Sequence, residues 1–322
     1  MKRWLRIALT LALLTAIGAG IYAYQFYSMW TSPFGEVGNW CIEIPPDEDP
    51  VQFLKSNEPE LAEIIEWRNW KTIPGRYCAI GIQPSHEVAR RIATGNRAEI
   101  SLTIPSKREL SELAGAIAPK IWADSASLVS DLSKDSVLWR IIPNTYRVYW
   151  ESTSEEIAQR LIDESNRWWN ADRLKKAWAL GLSQREVVIL ASIVQEETAN
   201  LNEAPVVARL YLNRLKKNML LQADPTLKFA IGDWEIRRLL DADKKIDSPY
   251  NTYRNPGLPP GPIRIPEPMY LEAVLNAPKH NYLYMCAKPD GSGTHAFAST
   301  YSEHLRNARA WQNMLNQQGV YR

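Results

Sequence analysis

The chain has 322 residues, 45% of them hydrophobic, and a formal net charge of +2. That length and composition support one large domain or two small ones with real cores, and the near-neutral charge excludes a nucleic-acid partner bound through a basic surface. Three cysteines exclude a disulfide-dense scaffold; with no C-x-x-C pair and four scattered His, no metal centre is expected, and nothing in the sequence calls for a cofactor.

Lys2, Arg3 and Arg6 precede an apolar run from Ile7 to about Tyr24, flanked by Trp4, Tyr22 and Tyr24. About 18 apolar residues just suffice to span a bilayer as a helix, with the positive end cytoplasmic and the aromatic residues at the interfaces. A cleaved signal peptide is the competing reading; no small-x-small site with a polar mature start follows, so an uncleaved anchor over residues 1–28 is preferred. The rest of the chain then lies outside the cytoplasm, facing the periplasm if the membrane is an inner one.

Between Trp40 and Pro119 one pattern occurs three times. Ile42 and Ile44, Ile80 and Ile82, and Leu102 and Ile104 each alternate, meet a proline, and lead into an apolar helical stretch. Strand, Pro turn and helix in short succession predict a small α+β module over residues 29–120. Ser106 and Glu109 have capping-box spacing before the third helix. Cys41 and Cys78 each open a repeat strand where oxidation is permitted, so they are expected to pair. Cys286 is expected to be a small buried apolar residue.

The remaining residues, 121–322, predict a mainly helical domain with short strands. Ala123–Ser136 predicts a short helical hairpin or loop, and Ile141–Tyr146 an extended segment. A long helix is expected from Ser154 to about Leu180, with Trp168, Trp169 and Trp178 mostly in the core. The next helix starts after the capping box Ser183–Glu186, is apolar from Val187 to Val194, and ends in Glu196 and Glu197. At about 100° per residue, Glu197 points between Leu190 and Ile193, whereas Glu196 points towards Ser192. Glu197 is therefore the carboxylate with the more apolar setting, which raises a carboxyl pKa as a general acid at neutral pH requires. The bland alternative is a helix end carrying two solvated glutamates. A helix at Ala204–Lys217, a turn and short helix at Leu221–Thr226, a polar helix at Asp233–Asp243, a stiff Pro/Gly loop at Gly257–Pro262, a hairpin around Asp290-Gly291 and a closing helix at Tyr301–Asn316 complete the expected elements. A polyproline ligand is the competing reading of the Pro/Gly loop.

Eight short motifs stand in order: IPNTY (Ile142–Tyr146), LASIVQEET (Leu190–Thr198), NRL (Asn213–Leu215), LQADPT (Leu221–Thr226), YNTY (Tyr250–Tyr253), GLPPGPI (Gly257–Ile263), YLY (Tyr282–Tyr284) and H-x-F (His295–Phe297). Together they resemble the endolytic murein transglycosylases of the MltG type, the YceG-like family. The anchor and a LysM-like reading of the first module also fit that family. The resemblance departs at two positions, with Gln195 where the family commonly has Glu and Ala296 where it commonly has Asn. It puts the catalytic role on Glu197. It implies cleavage of MurNAc–GlcNAc β-1,4 bonds by attack of the sugar's own C6 hydroxyl, leaving a 1,6-anhydro-MurNAc end.

One carboxyl can serve that reaction, protonating the leaving oxygen and then accepting the hydroxyl proton. Asn213, Gln222, Asp224, Thr226, Tyr250, Asn251 and His295 are the expected glycan-binding residues; Asn213 and Thr226 could instead serve as caps or turns. A two-carboxylate hydrolase using Glu197 and Asp224, and a non-catalytic wall-binding protein, are the alternative functions. About fifteen residues between the anchor and Trp40 reach at most ~50 Å, which would hold the enzyme near nascent glycan and its membrane-bound synthases.

Overall fold

The computed structural model describes residues 2–236 and 239–317. Fourteen α-helices and eight short strands are present among them: α1 (Lys2–Thr31), β1 (Pro33–Phe34), β2 (Asn39–Ile44), α2 (Pro50–Asn57), α3 (Pro59–Trp67), β3 (Gly75–Ile80), β4 (Gln83–Pro84), α4 (Ser85–Thr94), β5 (Glu99–Ile104), α5 (Leu110–Ile117), α6 (Ser125–Leu132), α7 (Asp135–Leu138), β6 (Asn144–Tyr149), α8 (Ser154–Trp168), α9 (Ala171–Leu180), α10 (Gln184–Glu197), α11 (Ala204–Lys216), α12 (Asp224–Ile231), α13 (Pro268–Leu275), β7 (Tyr284–Ala287), β8 (His295–Ala298) and α14 (Tyr301–Gln317). The strands form two-stranded sheets, β1 with β4, β2 with β3, β5 with β6 and β7 with β8. The chain is α+β and falls into two compact units. One holds residues up to Leu102 with Pro119–Ala123 and Arg147–Thr153; the other holds Thr103–Ala118, Asp124–Tyr146 and the residues from Ser154 onwards.

The strand–turn–helix repeats form as the alternation predicts, the first two within the first unit and the third running on into residues of the second. Ile42 and Ile44 are buried, as are Leu102 and Ile104. The second repeat differs in register. Tyr77 faces the core, whereas Ile80 shares the parity of Cys78 and a two-residue period puts it on the opposite, exposed face; Ile82, past the end of β3, is exposed as well. Cys41 lies directly opposite Cys78 across β2 and β3, with Cα atoms 4.1 Å apart, and the two are joined as a disulfide. Replacing both by Ser should destabilise this unit by roughly 3–4 kcal/mol, read as a lower denaturant midpoint. An unchanged midpoint under non-reducing conditions would contradict it.

The apolar N-terminal run forms a helix whose stretch Arg3–Thr31 is long and apolar enough to cross a membrane. The roughly fifteen residues between the apolar run and Trp40 are partly folded. The helix continues to Thr31, and Met29 and Trp30 pack against the first unit's core. Ser32 then donates to Glu60 (2.8 Å) and pairs with Ser85 (2.7 Å), so the chain enters β1 without slack.

The second unit is organised around α10. Every residue from Val187 to Val194 is buried, and α9, α11, α12 and α13 all pack against this helix. The capping box at Ser183 and Glu186 forms as the sequence predicts. The expected single helix from Ser154 to Leu180 is instead α8 and α9. It breaks at Trp169-Asn170, where the Asn170 side chain caps Arg173 N. Trp169 is buried, but Trp178 is 82% exposed and is no core residue. The Ser106–Glu109 capping box does not form, because Ser106 Oγ donates to Ile265 O at 2.6 Å and α5 starts only at Leu110. The polar stretch from Asp233 is not helical over Asp233–Ile236; a single turn of 3-10 helix follows at Asp243–Lys245, and Arg237 and Arg238 lie outside the described residues.

Candidate active site

Glu197 ends α10, where Thr198 leaves the helix in extended conformation. Its half-buried side chain lines a cavity of about 210 Å3 with Tyr211, Arg214, Gln222, Asp224, Tyr253, Cys286 and His295 around it. Tyr211 on α11 donates its hydroxyl to Glu197 Oε1 at 2.6 Å. No donor among the described residues reaches Oε2. Burial pushes the Glu197 carboxyl up to about 7, and the neighbouring Asp224 charge pushes the same way. The Tyr211 hydrogen bond and the charges of His295 and Arg214 pull it down without overcoming burial. Glu197 is thus a carboxyl poised between its two protonation states at neutral pH, which is the condition for exchanging a proton in both directions.

Glu196, the adjacent carboxylate, takes the opposite face, as the helical period predicts. It is not solvated. Its carboxylate is held by Arg108 through two bonds of 2.9 Å and by Arg264 at 2.7 Å, with 6% of the side chain exposed. Glu196→Gln should leave the Glu197 cavity intact and lower stability by about 2 kcal/mol through weakened charge-assisted bonds. Thermal unfolding beside glycan cleavage checks this. A loss of activity equal to that of the Glu197 variant would contradict it.

Of the other sequence-predicted residues, Gln222, Asp224 and His295 line the cavity with Glu197. Leu221 and Ala223 are buried while Gln222 and Asp224 alternate outwards. Gln222 adopts φ 50°, a left-handed conformation costly for a residue with a Cβ, and its N–H is held by Thr252 O at 3.1 Å. Asp224 accepts the hydroxyl of Tyr253. His295 is anchored by Glu203, which accepts from His295 N (2.7 Å), lies 2.9 Å from Nδ1, and also accepts the Thr198 hydroxyl at 3.0 Å.

Asn213, Thr226, Tyr250 and Asn251 do not border this cavity. Asn213 donates to His280 O and Tyr282 O, holding the approach to β7. Thr226 is fully buried, donates to Ala223 O and pairs with Thr252, fixing the turn that presents Gln222 and Asp224. Asn251, also fully buried, donates to Lys244 O and Ile246 O and accepts from Tyr253 N, setting the loop that carries Tyr253. Tyr250 packs on Phe229 with ring centroids 4.6 Å apart, and a Cβ at Gly261 would come within 2.8 Å of its hydroxyl. That close approach is why the Pro/Gly loop needs glycine there.

Sequence reasoning did not single out Tyr211, Arg214, Glu203 or Tyr253 as site residues. For Arg214 a signal existed: it continues the buried stripe Val207, Leu210, Tyr211 of α11, where an arginine must find partners. Cys286, expected as a buried apolar residue, is half-buried at the cavity wall; burial pushes its thiol up. Among the described residues no group of three His, Cys, Asp or Glu could hold a metal ion.

The sequence model of the YceG-like family matches residues 55–310. The chain belongs to the YceG-like family. Over 180 residues it is 35% identical to the endolytic murein transglycosylase of Bacillus subtilis, a match covering 55% of this chain and 48% of that one. Over 175 residues it is 27% identical to the endolytic murein transglycosylase of Streptococcus pneumoniae, covering 52% and 31%. The match thus spans about half or less of these relatives' length. The crystal structure of a YceG-like protein from Listeria monocytogenes shares the fold, with a TM-score of 0.55, 24% identity, and coverage of 84% of this chain and 98% of that one. The eight motifs that suggested the YceG-like resemblance, Ile142 to Phe297, all lie inside the matched region.

Proposed function

We propose that this YceG-like chain is a lytic transglycosylase acting on peptidoglycan, with Glu197 as its acid and base. The observation that carries the reading is a cavity carboxyl, Glu197, held at about 7 by burial, with one oxygen fixed by Tyr211 and the other open. Protonated Glu197 donates to the oxygen linking MurNAc to GlcNAc, and that C–O bond breaks. The sugar left behind carries oxocarbenium-like charge, which the Asp224 side chain across the cavity stabilises. Glu197, now a carboxylate, takes the proton of the C6 hydroxyl as that oxygen closes on C1, giving the 1,6-anhydro end and restoring the acid. No water is consumed and no protein nucleophile is needed. Gln222 and His295 hold the glycan; Asn213, Thr226, Tyr250 and Asn251 hold the walls that present them.

A two-carboxylate hydrolase is favoured by one observation, the presence of Asp224 in the same cavity. Digestion of purified glycan strands in heavy-oxygen water separates the two. The proposed reaction gives ends lighter by one water and free of label; labelled reducing ends would overturn it.

The relatives' names support endolytic, internal cleavage. We infer residues 1–28 to be an uncleaved anchor in the inner membrane, 29–120 a LysM-like glycan-binding module and 121–322 the catalytic domain on the periplasmic side. So placed, the enzyme meets newly made strands at high effective concentration and ends their growth, beside the membrane-bound synthases. Exchanging residues 1–27 for a cleavable signal peptide should preserve activity on purified glycan and lengthen strands in cells. Unchanged strand lengths at equal expression would contradict the tether.

A further inference from the structure

The end of α1 carries an aromatic group that does not line the cavity and of which Phe26 and Trp67 are not part of the first unit's core. Phe26 and Trp30, one turn apart, have ring centroids 5.6 Å from each other. Both meet Trp67, the last residue of α3, at 4.3 Å and 6.0 Å. Trp30 is fixed from its other side by His86, stacked at 5.0 Å, whose Nδ1 lies 2.9 Å from Trp30 O. The Arg68 guanidinium stands 5.3–5.7 Å from the Trp70, Trp30 and Trp67 rings. Arg68 is exposed and has no carboxylate partner among the described residues, and Trp67 remains 52% exposed.

Helix length says where this group would lie. About 20 residues at 1.5 Å each cross the ~30 Å hydrocarbon layer. Counted from Ile7, the first apolar residue after the basic tip, that length ends at Phe26. Tyr27 (65% exposed) and Trp30 then fall at headgroup depth, where indole and phenol rings favour the boundary between apolar and wet. Trp67 and Arg68 come from a different element but are packed onto that same turn. An arginine there can face lipid phosphate through its planar donor fork.

We propose that Phe26, Trp30, Trp67 and Arg68 form a collar that seats the first unit on the headgroup layer of a phospholipid bilayer, so that the unit itself, and not α1 alone, binds the membrane surface. This rests on the reading of α1 as a membrane span. The absence of slack at Thr31–Phe34 supports it, since a unit joined stiffly to a span cannot drift from the surface.

The test uses the full chain in vesicles of mixed zwitterionic and anionic phospholipid. A photo-reactive phenylalanine analogue is placed singly at Trp67, at Ile17 in the middle of α1, and at the exposed Trp178 of α9. Lipid adducts are read by mass. The proposal expects adducts at positions 17 and 67, severalfold above position 178. Adducts at 17 without 67 overturn the collar and leave the span standing; none at 17 overturns both. Quenching by brominated lipid, compared between the native chain and Trp67→Phe, is a second readout that keeps an aromatic ring in place. A quenchable component lost in Trp67→Phe supports the collar, and identical quenching overturns it.

Discussion

Glu197→Gln is expected to abolish glycan cleavage and to make the protein more stable above neutral pH. The amide keeps the shape of the carboxyl and can accept the Tyr211 hydroxyl, but it has no proton to exchange. General acid–base steps contribute roughly a hundred- to ten-thousand-fold, and here one group serves both. The stability effect has a definite sign. Burial raises the folded-state pKa of Glu197 from 4.5 to about 7, so the folded chain keeps a proton that the unfolded chain releases in that interval. The associated stability is complete below pH 4.5 and is lost as pH rises through about 7. Above that, the native protein holds an ionised carboxylate in a poorly solvated place, and the amide does not. Discounted for the residual exposure of Glu197, the variant should gain about 1–3 kcal/mol at pH 8 and nothing at pH 4. Denaturant melts at the two pH values, beside a cleavage assay, check both halves. A variant that is inactive and less stable at both would point to a structural role.

Arg214→Met should be the most damaging change near the cavity that leaves Glu197 in place. Arg214 is 8% exposed. Its Nε donates to Leu283 O at 2.6 Å, and its Nη1 donates to Leu221 O at 2.8 Å and Leu220 O at 3.2 Å. One side chain on α11 thereby joins the approach to β7 to the segment that presents Gln222. Methionine fills similar space and offers no donor, leaving carbonyls without partners. Each lost charge-assisted bond costs about 1.5–3 kcal/mol, so a destabilisation of roughly 3 kcal/mol or more is expected, with loss of activity at assay temperature. Removing the positive charge also raises Glu197 further, so residual activity should persist to higher pH. A variant with native stability would show that the carbonyls find other donors.

What could be read from the sequence was what is decided locally. The Ser183–Glu186 capping box and the all-apolar run behind it specify α10 within a dozen residues, and the 100° period then separates Glu197 from Glu196. The hairpin around Asp290-Gly291, whose second strand begins at His295, and the Cys41–Cys78 pair followed from turn chemistry and strand alternation. What failed depended on partners far along the chain. Ser106 has capping-box spacing, yet its hydroxyl is claimed by Ile265, 159 residues away. Ile80 and Ile82 alternate as core residues do, but pairing with β2 puts Ile80 on the opposite parity and Ile82 lies beyond the strand. Glu203 has no local mark of its tie to His295 across 92 residues, nor does Tyr211 of its bond to Glu197. Polar motif residues such as Asn251 and Thr226 look alike in sequence whether they face a ligand or hold a loop; only their buried hydrogen bonds separate the two.

The central claim is that one carboxyl, Glu197, stays protonated up to neutral pH because of its setting. Difference infrared spectroscopy between the native protein and Glu197→Gln, taken across a pH titration, isolates that carboxyl. The account predicts a protonated carboxyl band that persists above pH 4.5 and disappears around pH 7. A band lost in the ordinary carboxylate range near pH 4.5 would contradict it.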